Sequence, residues 1–253
     1  HQSVGPTAGQ WELNAVQAIN GNSLKLAKAL IHEYVTDASN SSGMSRAQVV
    51  IAASYNTFEV VNGGVVRPST GLPNGTSSTY SGGIVYIRAR QLTVKNGGTI
   101  HADEYGYQSN HNVGWNTWSP AGQSECGTHE INGQSNNCSG GGGGYANSNY
   151  CSTGSNHGSG GGGNQTAGQT GYNNGGGQSG GTGGAAKGTG DGSVLHFGGA
   201  GGEIVDYNGG TGGGLVVLGA DTVIVEDGGR ISADGGSGTD AGCRAGTGGG
   251  AGG

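Results

Sequence analysis

Gly83–Asp103 reads GIVYIRARQLTVKNGGTIHAD, and Gly214–Asp234 reads GLVVLGADTVIVEDGGRISAD. The two align without a gap. Ala89 meets Ala220, Val94 meets Val225, Gly97 and Gly98 meet Gly228 and Gly229, and Ile100, Ala102 and Asp103 meet Ile231, Ala233 and Asp234. A third, worn repeat lies upstream in Val50–Val66, VIAASYNTFEVVNGGVV, with Asn62-Gly63-Gly64 in the place of Asn96-Gly97-Gly98. Its Val50, Ala52, Phe58, Val60 and Val66 match Ile84, Tyr86, Leu92, Val94 and Ile100. A recurring unit of this size means stacked elements, because one unit alone cannot bury its apolar side chains.

Within each repeat the β-branched runs suit strands. The Asn96-Gly97 and Asp227-Gly228 pairs supply residues that tolerate positive φ and so mark a corner. The pattern predicts a short strand, a turn, a second strand ending at the Gly-Gly corner, and a third short strand. Hairpins in a sandwich are one way to arrange such units. Stacking like on like favours the other, an all-β chain whose fold class is a β-solenoid with a large glycine-rich insertion. The expected divisions are an N-terminal cap with first coils over 1–49 and solenoid coils over 50–103. A glycine-rich, disulfide-bearing insertion over 104–208 follows, and then a last coil with a glycine-rich tail over 209–253. In the first of these, Ser23 would cap a helix with Leu24, Ala27, Leu30, Ile31 and Tyr34 on one face. Strands over 29–32 and 33–35 are the alternative, and the one preferred here.

Glycine supplies 62 of the 253 residues, and only 10% are charged. The second half therefore has too few apolar side chains for an ordinary two-layer core. The runs GGGGG at 140–144 and GGGG at 160–163 cannot be strands with packed side chains. Flexible linkers would satisfy them, and so would bundled polyproline-II helices, in which glycine lets backbones touch. The triplets 198–200 and 201–203, each with one non-glycine position, fit the bundle. Collagen is excluded by irregular spacing and only four prolines. The net charge of −6 and the scattered Lys and Arg leave no basic stripe, so nucleic acid is not an expected partner. No apolar run approaches the roughly 18 residues that would span a membrane. The start at His1, without Met, reads as a mature or trimmed chain or a piece of a longer one.

Cys126, Cys138, Cys151 and Cys243 are even in number and match no zinc spacing, so they read as disulfides. Three pairings are possible, and a bond from Cys243 to the insertion is expected. Asn40, Asn74, Asn137 and Asn164 each satisfy the N-glycosylation pattern, which points with the cysteines to an extracellular, secreted or cell-surface chain. Chemistry-bearing residues gather in His101, Asp103, Glu104, Tyr105, Tyr107, His111, Trp115, Trp118, Glu125, His129 and Glu130. Asp103 and Glu104 would be the acid and base of a glycosidase. Repeat 3, however, matches Asp103 with Asp234, which makes Asp103 a corner residue. No GxSxG elbow or phosphate loop is present, so neither catalysis nor a cofactor is expected. Tyr105, Tyr107, Trp115 and Trp118 would stack on sugar rings or line an interface. Gly235–Asp240 matches the start of a calcium-binding nonapeptide and Gly188–Asp191 echoes it, but such sites need tandem copies, so no metal is expected.

The paired stretches Gly82–Asp103 and Gly213–Asp234, set among glycine runs, resemble glycine-rich repeat regions of secreted and cell-surface adhesin-like proteins. The glycine runs are also similar to the receptor-binding tips of phage tail-fibre adhesins and to the glycine-rich domain of anaplastic lymphoma kinase ectodomains. The resemblance implies surface display, adhesion or assembly, and carries over no catalytic residue. The function expected is a secreted, glycosylated structural protein, a subunit of an extracellular fibre, matrix or coat that self-associates by stacking coils. A glycan-binding adhesin using the aromatic loop is the alternative, and a β-helix enzyme that cleaves polysaccharide a third.

Overall fold

A computed structural model of the chain describes residues 1–5, 7–36, 46–69, 82–109, 122–126, 138–145, 157–172, 180–205, 207–240 and 246–253. Among these the regular elements are all strands: β1 (Gln2–Val4), β2 (Val16–Asn20), β3 (Ser23–Leu26), β4 (Arg46–Ala47), β5 (Ser54–Val60), β6 (Val65–Val66), β7 (Ile84–Val94), β8 (Thr99–His101), β9 (Leu215–Val225) and β10 (Arg230–Ser232).

The three repeats stack in register, but they do not wind into a solenoid. Each gives one strand to each of two open parallel sheets, β5-β7-β9 and β10-β8-β6. Ala89 lies beside Ala220 and Val94 beside Val225, as the sequence alignment requires. A solenoid needs each coil to close its cross-section and run on into the next. Here the chain turns once at the Gly-Gly corner, and among the described residues no repeat gives a third strand to the stack. After β8 it leaves for the glycine region and returns only at β9. The expected β-solenoid is thus corrected to two open three-stranded parallel sheets. Two antiparallel pairs accompany them, β1 with β4 and β2 with β3.

The strand–turn–strand expected within each repeat is one continuous strand in repeats 2 and 3. Along β7 the buried apolar residues are Val85, Ile87 and Ala89 and then Leu92 and Val94, with Thr93 buried between the last two, so the apolar side changes parity near Arg90. The pairing skips Arg90 opposite both neighbours, which places this irregularity at the same level across the sheet. The apolar side so formed packs with Val60 and Ile100 into one core. A second core joins Val4, Tyr107, Phe197, Ala200 and Leu215, and thereby ties β1 and β9 to the glycine region. At the N-terminus the helix does not form. Gly21, at φ 58, turns the chain between β2 and β3, and Ser23 pairs with Asn20 in that hairpin. Residues 29–32 and 33–35 are not strands.

The glycine segments lie side by side, joined by backbone hydrogen bonds. Gly160, Gly161, Gly162 and Gly163 N donate in turn to Gly142, Gln169, Gly249 and Ser139 O, at 2.7–2.9 Å. Gly198, Gly199, Ala200, Gly201 and Gly202 N donate to Gly213, Gly163, Gln123, Gly210 and Gly160 O. In both series the donor returns to its first neighbour after three residues, the repeat of a polyproline-II turn, which has no internal hydrogen bonds to spend its donors on. Three neighbours therefore surround one segment at backbone contact. A Cβ on Gly199 would stand 2.0 Å from Ser139 O, and one on Gly202 would stand 2.0 Å from Gly142 O. Phe197, Ala200 and Glu203, the non-glycine positions of this run, are all buried. Segment 246–253 joins the same lattice, since Ala251 N donates to Gly199 O at 3.0 Å.

Candidate functional site

Asp103 ends repeat 2, and its carboxylate reaches into repeat 3. Oδ1 accepts from Asp234 N at 2.8 Å, and Oδ2 accepts from Ser232 Oγ at 2.9 Å and Arg230 Nη2 at 3.1 Å. Arg230 also donates to Asp234 Oδ2 at 2.7 Å, and His101 Nδ1 lies 3.7 Å from Asp103 Oδ2. Partial burial opposes ionisation of Asp103. The donors Asp234 N and Ser232 Oγ, with the charges of Arg230 and His101, outweigh it and hold the carboxyl below its ordinary value. A carboxylate saturated with donors and kept ionised is a clamp between repeats rather than a proton donor. Glu104 is exposed and turns the chain at φ 61, its N donating to Asp234 O at 2.8 Å.

The aromatic group expected at one surface is divided. Tyr105 is half-buried, edge-on to His101, and its hydroxyl accepts from Arg67 Nη1 at 3.1 Å. Tyr107 is 1% exposed, donates to Ser3 O and meets Phe197 edge-on, so it is a core residue with no face for a sugar. Trp115, Trp118, His111, His129 and Glu130 lie outside the described residues.

Glu125 is buried and accepts from Ser139 N and, at 2.5 Å, from Ser139 Oγ, with Lys187 Nζ at 3.6 Å. Its oxygen and the sulfurs of Cys126 and Cys138 all lie within 4.8 Å of one another, a spacing that suits a metal. Those sulfurs form a disulfide, however, so they are not thiolate ligands. Nearby His196 has its pKa lowered, chiefly by burial and further by Lys187, against the opposing charge of Glu125. Asn164 Nδ2 donates to Gly252 O at 2.7 Å. Asn40, Asn74, Asn137, Cys151 and Cys243 lie outside the described residues. The calcium-like stretch Gly235–Asp240 is a lattice segment, with Gly236 N donating to Thr211 O at 2.7 Å. In its echo, Asp191 accepts from Ser193 N and Oγ, and these bonds bring its carboxyl down to about 2.

Comparison with family models, curated proteins and solved structures finds no match. Among the described residues no helix is long and apolar enough to cross a membrane.

The sequence predicts association by stacking of the repeats, but not which residues are left uncovered at the two ends of the stack. Leu92 and Val94 are fully buried in the middle repeat, whereas their equivalents Val223 and Val225 at the β9 end are 44% and 46% exposed. At the β5 end Tyr55, Val61 and Val65 are exposed. The signal was present in the alignment itself. An apolar residue that repeats in the outermost unit has no neighbour within the stack to cover it.

Proposed function

We propose that this chain is an extracellular structural protein, a subunit of a fibre, matrix or coat that self-associates through the ends of its repeat stack. The observation that carries this reading is the exposure of Val223 and Val225, repeat residues whose counterparts Leu92 and Val94 are buried by stacking. Open strand edges bearing apolar side chains are templates for pairing, and soluble monomers usually cover, shorten or charge them. The Cys126–Cys138 disulfide and the glycosylation acceptors support an oxidising, secretory setting. The glycine lattice suits a structural role, since its segments are held to one another by backbone bonds. Negative-stain microscopy with sedimentation of the protein purified from its source tests the reading. Ordered assemblies with an axial repeat are the expected result. Monomers at every concentration would reject it.

A further inference from the structure

We infer that the self-association proposed above, on which this inference rests, is head-to-tail. The β9–β10 end of one molecule adds in parallel to the β5–β6 end of a second copy, in the register that already joins the repeats. The chain makes this junction twice within itself. Lys95 N donates to Val60 O at 2.9 Å, and Glu226 N donates to Val94 O at 2.9 Å. Thr99 N donates to Gly64 O at 2.9 Å, and Arg230 N to Gly98 O at 3.0 Å. Gly63 N donates to Gly97 O at 3.1 Å, and Gly97 N to Gly228 O at 3.0 Å. One further step in each series brings Val61 N to Val225 O of the neighbour, Val65 N to its Gly229 O, and its Gly228 N to Gly63 O. Among the described residues, Val61 N, Gly228 N and Gly63 O have no hydrogen-bond partner.

Side chains agree with that register. A Cβ on Gly97 would meet Asn62 Oδ1 at 2.9 Å, and one on Gly228 would meet Asn96 Nδ2 at 2.8 Å. At Gly63 nothing lies within 4 Å, which leaves open the slot that Asp227 of the neighbour would take. The acids Asp221, Glu226 and Asp227 at one end would face Asn56, Val61 and Asn62 at the other, so no like charges stand directly opposite. Phe58 and Val60 of the neighbour would extend the rows Leu92–Val223 and Val94–Val225 over the exposed valines. Two different surfaces joined in this way give a heterologous contact that does not close, hence a polar filament.

Proline tests this, because at an outward-facing edge position it removes the donor and fills the gap a second strand needs. Val61→Pro blocks the β5 end, and Val225→Pro blocks the β9 end. Each variant alone is expected to need at least 10-fold more protein to assemble, while an equimolar mixture forms dimers and nothing longer, each partner supplying one intact end. A variant that polymerises like the parent, or that dimerises alone through its remaining end, overturns the inference. If Val61→Pro fails to melt cooperatively, Val61→Asp replaces it. Its carboxylate would face Glu226 of the neighbour, and the weakened assembly should recover with salt; a wild-type assembly curve for Val61→Asp overturns the inference. Parent assemblies indifferent to these variants reject this interface alone. A parent that is always monomeric rejects the functional reading as well.

Discussion

One carboxylate, that of Asp103, fastens the second repeat to the third, and its protonation can be read in stability. Its folded pKa is lowered, so its contribution is fully present above the unfolded value of about 4 and is lost as pH falls through the folded one. Asp103→Asn is expected to cost about 1–2 kcal/mol at pH 6. Urea unfolding should show the gap between parent and variant shrinking towards pH 3; a constant gap would count against the clamp. The lattice makes a sharper claim at Gly199. Gly199→Ala places a Cβ 2.0 Å from Ser139 O, whereas Gly190→Ala meets nothing within 4 Å. The first should lose about 2–3 kcal/mol and the second less than about 0.5 kcal/mol, measured by the same unfolding. The corner role of Asp103 was legible, because repeat 3 carries Asp234 in its place. The depth of Tyr107 was not. Polar and glycine neighbours hid the fact that its partners are Phe197 and the remote Ser3.

Among elements, β7 shows what periodicity conveys and what it conceals. The sequence predicts two strands with a turn between them, whereas β7 runs unbroken from Val85, Ile87 and Ala89 to Leu92 and Val94. A parity change looks the same whether the chain turns or merely slips by one residue, and only the pairing across β5 and β9 separates the two. The hairpin of β2 and β3 was lost for a related reason. Leu24, Ala27, Leu30, Ile31 and Tyr34 happen to fit a helical face, yet Gly21 and Asn22 turn the chain immediately before them. Crosslinking belongs to this scale too. Cys126 and Cys138, 12 residues apart, hold segment 122–126 to segment 138–145. Removing both with serine should cost about 2–3 kcal/mol by loop-closure reasoning. Their bond leaves Cys151 and Cys243 as each other's only possible partner within the chain. A non-reducing peptide map is expected to recover that pair, and free thiol at Cys243 would contradict it.

For the molecule as a whole, much of the order lies in segments that belong to no sheet. Hydrogen exchange should therefore find Gly160–Gly163 and Gly198–Gly202 protected to a level comparable with β7, because their N–H groups are bonded to neighbouring segments. Exchange at the rate of free glycine peptides would show that the lattice does not persist in solution. Which segments neighbour one another was beyond sequence reasoning, since contacts made by backbone alone leave no trace in side-chain pattern beyond the glycine itself. The departure from a solenoid is hidden in the same way. Repetition reveals that units stack, but not whether each closes before the next begins. One consequence concerns ancestry. The glycine region departs after β8 and returns at Gly214, whose N donates to Ala102 O at 2.7 Å, and Gly106 N donates to Gly212 O at 2.7 Å, so its two ends are neighbours. An excursion that begins and finishes at one point can lengthen or shrink without disturbing the register of the sheets it leaves. In a lineage of such genes, insertions and deletions would accumulate between the second and third repeats while the spacing inside each repeat stays fixed. The same seam is the natural place to splice in a foreign domain.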